Sequence, residues 1–185
     1  MVLHAFPYPG GKTRHADWII TQMAEHQRYV EPFCGSAGVF FNKKPVTSEV
    51  LNDIDGNIVH FFKILRDKPE KLVSYLQLQP FSFSEHERIV YKYYNEEHPQ
   101  DPVQRAAEFY LLRCSQFGSK TGGTSGFARP GNSIKSRSRS CKNCLRSVFK
   151  VAGRLRDALI ECKDYTWILD YYDGPEALFY VDRRW

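Results

Sequence analysis

The chain has 185 residues, of which 42% are hydrophobic, 25% charged and 15% aromatic, a balance that excludes collagen-like, low-complexity and wholly disordered classes and predicts one domain with a sizeable core. No run approaches the ~20 apolar residues of a membrane span, and Met1 to Arg14 carries Gly-Gly and charges where a secretory leader would be apolar, so a cytoplasmic protein is expected. The net charge of +5 hides a segregation: eleven of the 26 Lys and Arg residues fall between Arg113 and Arg156, where there is no Asp or Glu, while the rest of the chain holds all 21 acids.

The N-terminal third alternates short strand-like runs with helical patterns, as an α/β sheet of βαβ units does. Tyr29-Val30 leads into Glu31-Pro32-Phe33-Cys34-Gly35 and reads as a strand ending in a turn, with a further helix expected to follow. Thr47 to Leu51 reads as a second strand, ending at Asn52-Asp53. Ile58, Phe61, Phe62 and Leu65 show the spacing of an amphipathic helix, with Asp55 or Asn52 as its N-cap. From Glu70 to Leu112 the pattern is helical in pieces around Leu72–Leu76, Ile89–Tyr94 and Val103–Leu112, punctuated by Pro80, Pro99 and Pro102. Gln116 to Ser140 is rich in Gly, Ser, Lys and Arg and reads as a mobile loop. Helical spacing returns over Leu145, Val148, Phe149, Ala152, Leu155 and Leu159. Ala177 to Val181 is an apolar run of strand length, suited to the middle of a covered sheet, that delivers Asp182 at its carboxyl end.

Ligands of open α/β sheets sit beyond the carboxyl ends of the strands, where the strand order reverses. Three features fall at or near such ends. Phe33-Cys34-Gly35-Ser36-Ala37-Gly38 offers small residues that let the backbone approach a ligand. Asp53 follows about 20 residues later, the distance at which an acid reaches a ribose hydroxyl pair. Upstream, Pro7-Tyr8-Pro9-Gly10-Gly11-Lys12 supplies backbone donors and one cation, yet its spacing is not that of a Walker loop, which disfavours a nucleoside triphosphate. The glycines also lack the Gly-x-Gly-x-x-Gly spacing of a dinucleotide-dependent dehydrogenase.

Taken in order, Pro-Gly-Gly-Lys, then Tyr29 to Gly35 with Val39-Phe40-Phe41, then Asn52-Asp53-Ile54-Asp55 before Phe61-Phe62, then Leu178 to Asp182, closely resemble the Dam-type DNA adenine-N6 methyltransferases over nearly the whole chain. The resemblance implies a Rossmann-like sheet formed by residues 1–66 and 160–185, with 67–159 as a helical, basic target-recognition insertion. It implies S-adenosylmethionine as cofactor, held by Tyr8, Gly10, Gly11, Lys12, Glu31, Pro32, Phe33, Gly35, Asp53 and Asp182. It implies Asp182 as the catalytic carboxylate, facing the amino group of an adenine flipped out of double-stranded DNA. The basic stretch falls where that family reads its DNA target, and Arg113, Lys120, Arg129, Arg137 and Arg139 are the expected phosphate contacts.

One motif departs from the family. Asp-Pro-Pro-Tyr is expected after the last strand, and the chain instead reads Asp182-Arg183-Arg184-Trp185 and stops. The expectation is therefore a truncated or split enzyme lacking the C-terminal strands, with a second chain as the candidate that completes the sheet; a non-catalytic DNA-binding remnant is the alternative. Cys141 and Cys144 have zinc-knuckle spacing without a second pair, Cys114 and Cys162 stand alone, and no metal is expected. The six histidines read as surface or capping residues, and Tyr91, Tyr93 and Tyr94 as core aromatics.

Overall fold

The computed structural model describes residues 2–8, 10–79, 82–115 and 147–182. The expected loop at 116–140 lies outside the described residues, as do Lys120, Arg129, Arg137, Arg139, Cys141, Cys144 and Arg183 to Trp185.

Four strands, β1 (Arg28–Glu31), β2 (Ser48–Asn52), β3 (Leu159–Glu161) and β4 (Ala177–Phe179), pair in parallel in the order β3-β2-β1-β4. The chain thus builds outward from β1 through β2 to β3, then returns to the other side of β1, which puts the reversal of strand order between β1 and β4. The two central strands follow the period-2 rule with both faces covered. Tyr29 and Leu51 enter the main core, while Val30 and Val50 face a smaller cluster with Ile168 and Tyr172.

Between β1 and β2 the expected helix does not form. Residues 32–43 make successive turns, with left-handed backbone at Gly35 (φ 50) and buried Ala37 (φ 52), and only isolated helical bonds such as Phe41 N to Ala37 O and Lys43 N to Val39 O. Gly-Ser-Ala-Gly spends conformational freedom that a helix nucleus cannot afford, and Pro45 bounds the segment before a second turn could add to it.

Ahead of β1, a 3-10 turn (Lys12–His15) runs into α1 (Ala16–Thr21). Helix α2 (Gly56–Asp67) buries Ile58, Phe61, Phe62 and Leu65 as its periodicity predicts, and the Asp55 side chain caps it by accepting from Asn57 N. Asn52, the other candidate cap, instead bonds Pro32 O through Nδ2 at 2.9 Å, and the Lys163 carbonyl and amide at 3.0 and 2.9 Å. Helices α3 (Pro69–Leu78), α4 (Phe83–Tyr94) and α5 (Pro102–Ser115) follow, with Pro69 and Pro102 in the first helical position, where a missing N–H costs nothing. They share one apolar core with α2 and the N-terminal segment. Phe6 sits at its centre, with the rings of Phe61 and Phe109 each 5.2 Å away.

The helical pattern expected to reach Leu159 ends sooner: α6 is Val148–Leu155, a turn follows at Arg156-Asp157, and Leu159 opens β3. Helix α7 (Tyr165–Tyr172) then returns the chain over the small cluster to β4. Strand β4 differs from its expected central position. It is an edge among the described residues, so Ala177, Leu178 and Phe179 are only half-buried and Val181 is 55% exposed. Of the histidines, His86 is buried on the inner face of α4, with Nδ1 2.7 Å from Ser115 Oγ, instead of lying at the surface. Tyr91 and Tyr94 are exposed rather than core, and only Tyr93 turns inward. Cys34 and Cys162 are free thiols, whereas Cys114 is disulfide-bonded and so does not stand alone.

Candidate functional site

A crevice opens at the strand reversal, beyond the carboxyl ends of β1 and β4. Its cavity of about 180 Å³ is walled by Tyr8, Gly10, Gly11, Lys12, Glu31, Phe33, Gly35, Asp53 and Asp182, nine of the ten positions expected around the cofactor. Pro32 is buried beneath this wall, where its carbonyl is held by Asn52. Cys34, Ser36, Gly38, Val39, Ile54 and Tyr180 complete the lining. A larger cavity of about 810 Å³ lies near the opposite ends of the strands, between Asp17, His26, Lys44 and Glu176, and contains none of the expected residues.

Each wall has a local cause. Gly35 is left-handed, and a Cβ there would stand 2.7 Å from the Tyr8 ring, so only glycine lets that ring lie over the turn. Gly38 plays the same part for the N-terminal segment, because a Cβ would meet Thr13 N at 2.8 Å. Asp53, at the end of β2, accepts from Gly35 N through Oδ2 at 2.9 Å and from Asp55 N through Oδ1 at 3.0 Å. Burial and the nearby Asp55 push its carboxyl pKa up, while the backbone donors oppose that rise. Tyr8 is pushed up to about 12, first by burial and then by Asp53, so its hydroxyl keeps its proton.

Glu31 is 2% exposed, and its Oε1 accepts from Tyr29 Oη at 2.7 Å and Phe40 N at 2.9 Å. Burial raises it to about 7 in spite of both bonds, with Asp182 adding to the rise. At the mouth, Lys12 Nζ donates to Asp182 Oδ2. Strand β4 brings Asp182 there through the Tyr180 N to Val30 O bond of 2.8 Å, which continues the β1–β4 pairing past the last strand residue.

Arg113, expected on DNA phosphate, is half-buried between α4 and α5. Its guanidinium lies 5.0 Å from the Phe109 ring centroid, and its Nη2 donates to Tyr93 Oη at 2.8 Å. The other end of the basic stretch turns inward too: Arg154 pairs with buried Glu49, which also holds Lys43, and its guanidinium lies 3.9 Å from the Phe40 centroid. Burial raises the Glu49 carboxyl, yet hydrogen bonds from Arg154 and Lys43 hold it below its usual range.

Sequence reasoning missed Ile54 and Tyr180 as lining residues. Ile54 lies between two acids and is 72% exposed at the rim, an exposed apolar residue being the only signal it carries. Gly38 lies in the small-residue run already read after the first strand, and Tyr180 sits in the last apolar run, two residues before Asp182.

The family model for D12 class N6 adenine-specific DNA methyltransferases matches residues 8–182. A DNA N-6-adenine-methyltransferase of Escherichia phage P1 is 28% identical over 118 residues, which are 63% of this chain and 15% of that protein. The chain thus spans a small part of that relative's length. With the crevice walled by the ordered motifs and the model running from Tyr8 to Asp182, the chain belongs to the D12 class N6 adenine-specific DNA methyltransferases.

Proposed function

We propose that the chain is a Rossmann-like S-adenosylmethionine-dependent methyltransferase that acts on the N6 amino group of adenine in double-stranded DNA. The observation that carries this reading is the convergence of Lys12, Asp53 and Asp182, from three distant parts of the chain, on one crevice at the strand reversal. The residues fit the cofactor. Asp53 is an acceptor-only group held by the backbone N–H groups of Gly35, Asp55 and Ile54, in a place where its oxygens can also receive a ribose diol. Gly35 lets the Tyr8 ring pack over the turn that forms the crevice wall, and Phe33 and Ile54 offer apolar surface to a base. When bound, S-adenosylmethionine supplies an electrophilic methyl group on its sulfonium.

Asp182 does the work on the acceptor side. An adenine amino nitrogen shares its lone pair with the ring and attacks poorly until its hydrogens are held and the lone pair is aimed. Asp182 accepts one of those hydrogens in the place that the Lys12 ammonium holds in this structure. After transfer the surplus proton passes to Asp182 and out to water, the side chain being 28% exposed. The adenine must leave the duplex stack to reach this depth.

In this reading residues 1–66 and 160–185 carry the chemistry and 67–159 recognise DNA. Those phosphate contacts fall to the basic stretch beyond Arg113, and the edge of β4, unpaired among the described residues, is where a further strand would extend the sheet. The test is transfer of labelled methyl from S-adenosylmethionine to adenine-containing duplex DNA, with binding of each ligand measured separately. Labelled N6-methyladenine supports the reading. Binding of DNA without any heat from millimolar S-adenosylmethionine overturns it in favour of a DNA-binding protein without catalysis.

A further inference from the structure

We infer that Tyr93, which lies outside the crevice, is a positioning residue for the cofactor pocket, acting on Asp53 through Asp55. The inference rests on the proposal that the pocket holds the cofactor's ribose. Asp53 is useful only while its two oxygens face that ribose, and one of them is tied to the backbone N–H of Asp55 at 3.0 Å. Where Asp55 sits therefore decides where Asp53 points.

Asp55 is held from both ends of its carboxylate. Oδ1 caps α2 by accepting from Asn57 N at 2.9 Å, and Oδ2 receives the Tyr93 hydroxyl at 3.4 Å. That hydroxyl accepts in turn from Arg113 Nη2 at 2.8 Å, and the guanidinium also lies 5.4 Å from the Tyr93 ring centroid. The result is a file of cation, phenol and carboxylate running from α5 through α4 to the end of β2. A second α5 arginine grips the same turn, since Arg105 Nη2 donates to Asn57 Oδ1 at 2.8 Å.

The file answers an electrostatic problem. Two carboxylates two residues apart repel one another where burial has removed much of the water, and the Asp55 charge adds to the rise of the Asp53 carboxyl. A donor on Asp55 with a cation directly behind it offsets that repulsion. Removing the hydroxyl frees Asp55 to swing away and takes the Asp53 geometry with it. The neighbours Tyr91 and Tyr94 are exposed, so the effect belongs to Tyr93.

The test is calorimetric binding of S-adenosylmethionine to the full chain and to Tyr93→Phe, Arg113→Met, Asp55→Asn, the Tyr93→Phe/Asp55→Asn double variant and the control Tyr91→Phe. Loss of one such bond predicts affinity about 5-fold weaker in Tyr93→Phe, with Arg113→Met in the same direction. The double variant should be no weaker than Asp55→Asn alone, because both substitutions remove the same link, and Tyr91→Phe should bind as the parent does. A parent chain that binds while Tyr93→Phe binds within twofold of it, or with only its melting temperature changed, overturns the inference. Additive losses in the double variant overturn it as well. A parent chain that gives no heat at all instead overturns the reading of the pocket.

Discussion

Lys12 Nζ and Asp182 Oδ2 stand 2.5 Å apart, an ion pair between residues 170 positions apart that closes the mouth of the crevice. Both side chains are about one third exposed, and pairs so exposed contribute roughly 0–1 kcal/mol. In the proposed reaction an incoming amino group would displace the ammonium at little cost.

Asp182→Asn tests this directly. An amide in that place donates as well as accepts and carries no charge to stabilise a developing positive nitrogen. Methyl transfer should fall about 100-fold, the scale of losing one aligned electrostatic contact in a transition state. Cofactor binding should stay within about threefold, and a variant that keeps full transfer would remove Asp182 from the chemistry.

Gly35→Ala should weaken the cofactor site by about 10-fold. The backbone is left-handed there, which costs an L residue about 1–2 kcal/mol, and the added methyl meets the Tyr8 ring at 2.7 Å. Calorimetry should show the loss together with a lower melting temperature.

The Lys43–Glu49–Arg154 group offers a stability test away from the crevice. Lys43 and Glu49 are 7% and 5% exposed, so Glu49→Gln would leave two cations facing each other with little water between them. Removing one partner of a buried pair costs about 3–5 kcal/mol, and urea unfolding should show a loss of that order. A loss below about 1 kcal/mol would mean that water reaches the group.

Glu31 sets a pH dependence. Its carboxyl is raised to about 7 by burial, from an ordinary value of 4.5. Between those values the folded chain holds a proton that the unfolded chain has released, so this group's contribution to stability declines as pH rises from about 4.5 to 7 and levels off above. Glu31→Gln should flatten that part of the curve, as read by melting temperature at pH 5 and pH 8. An unchanged slope in the variant would show that Glu31 does not titrate in this range.

What was legible in the sequence was whatever local spacing encodes. The 3.6-residue period of Ile58, Phe61, Phe62 and Leu65 places α2 with its buried face, and the strand ends at Glu31, Asp53 and Asp182 lead to the crevice. Strand β3 was hidden because it has three residues and its half-exposed Leu159 continues the phase of α6. The helix expected after β1 failed because glycine-rich turns outweighed the apolar Val39-Phe40-Phe41, which are buried with only isolated helical bonds. Arg113 and Arg154 count as basic residues in any charge tally, and only tertiary packing shows them spread over aromatic rings and bonded to Tyr93 and Glu49. Contacts between residues far apart in the chain leave no period to read.

Asn52 ties the turn after β1 to the loop after β3 through bonds to Pro32 and Lys163. One amide thereby splints three strand tips into a rim whose shape is set before any guest arrives. Little chain entropy is left to be surrendered on docking, so association should be quick and should bring only a small rise in hydrogen-exchange protection along residues 31–35 and 52–55.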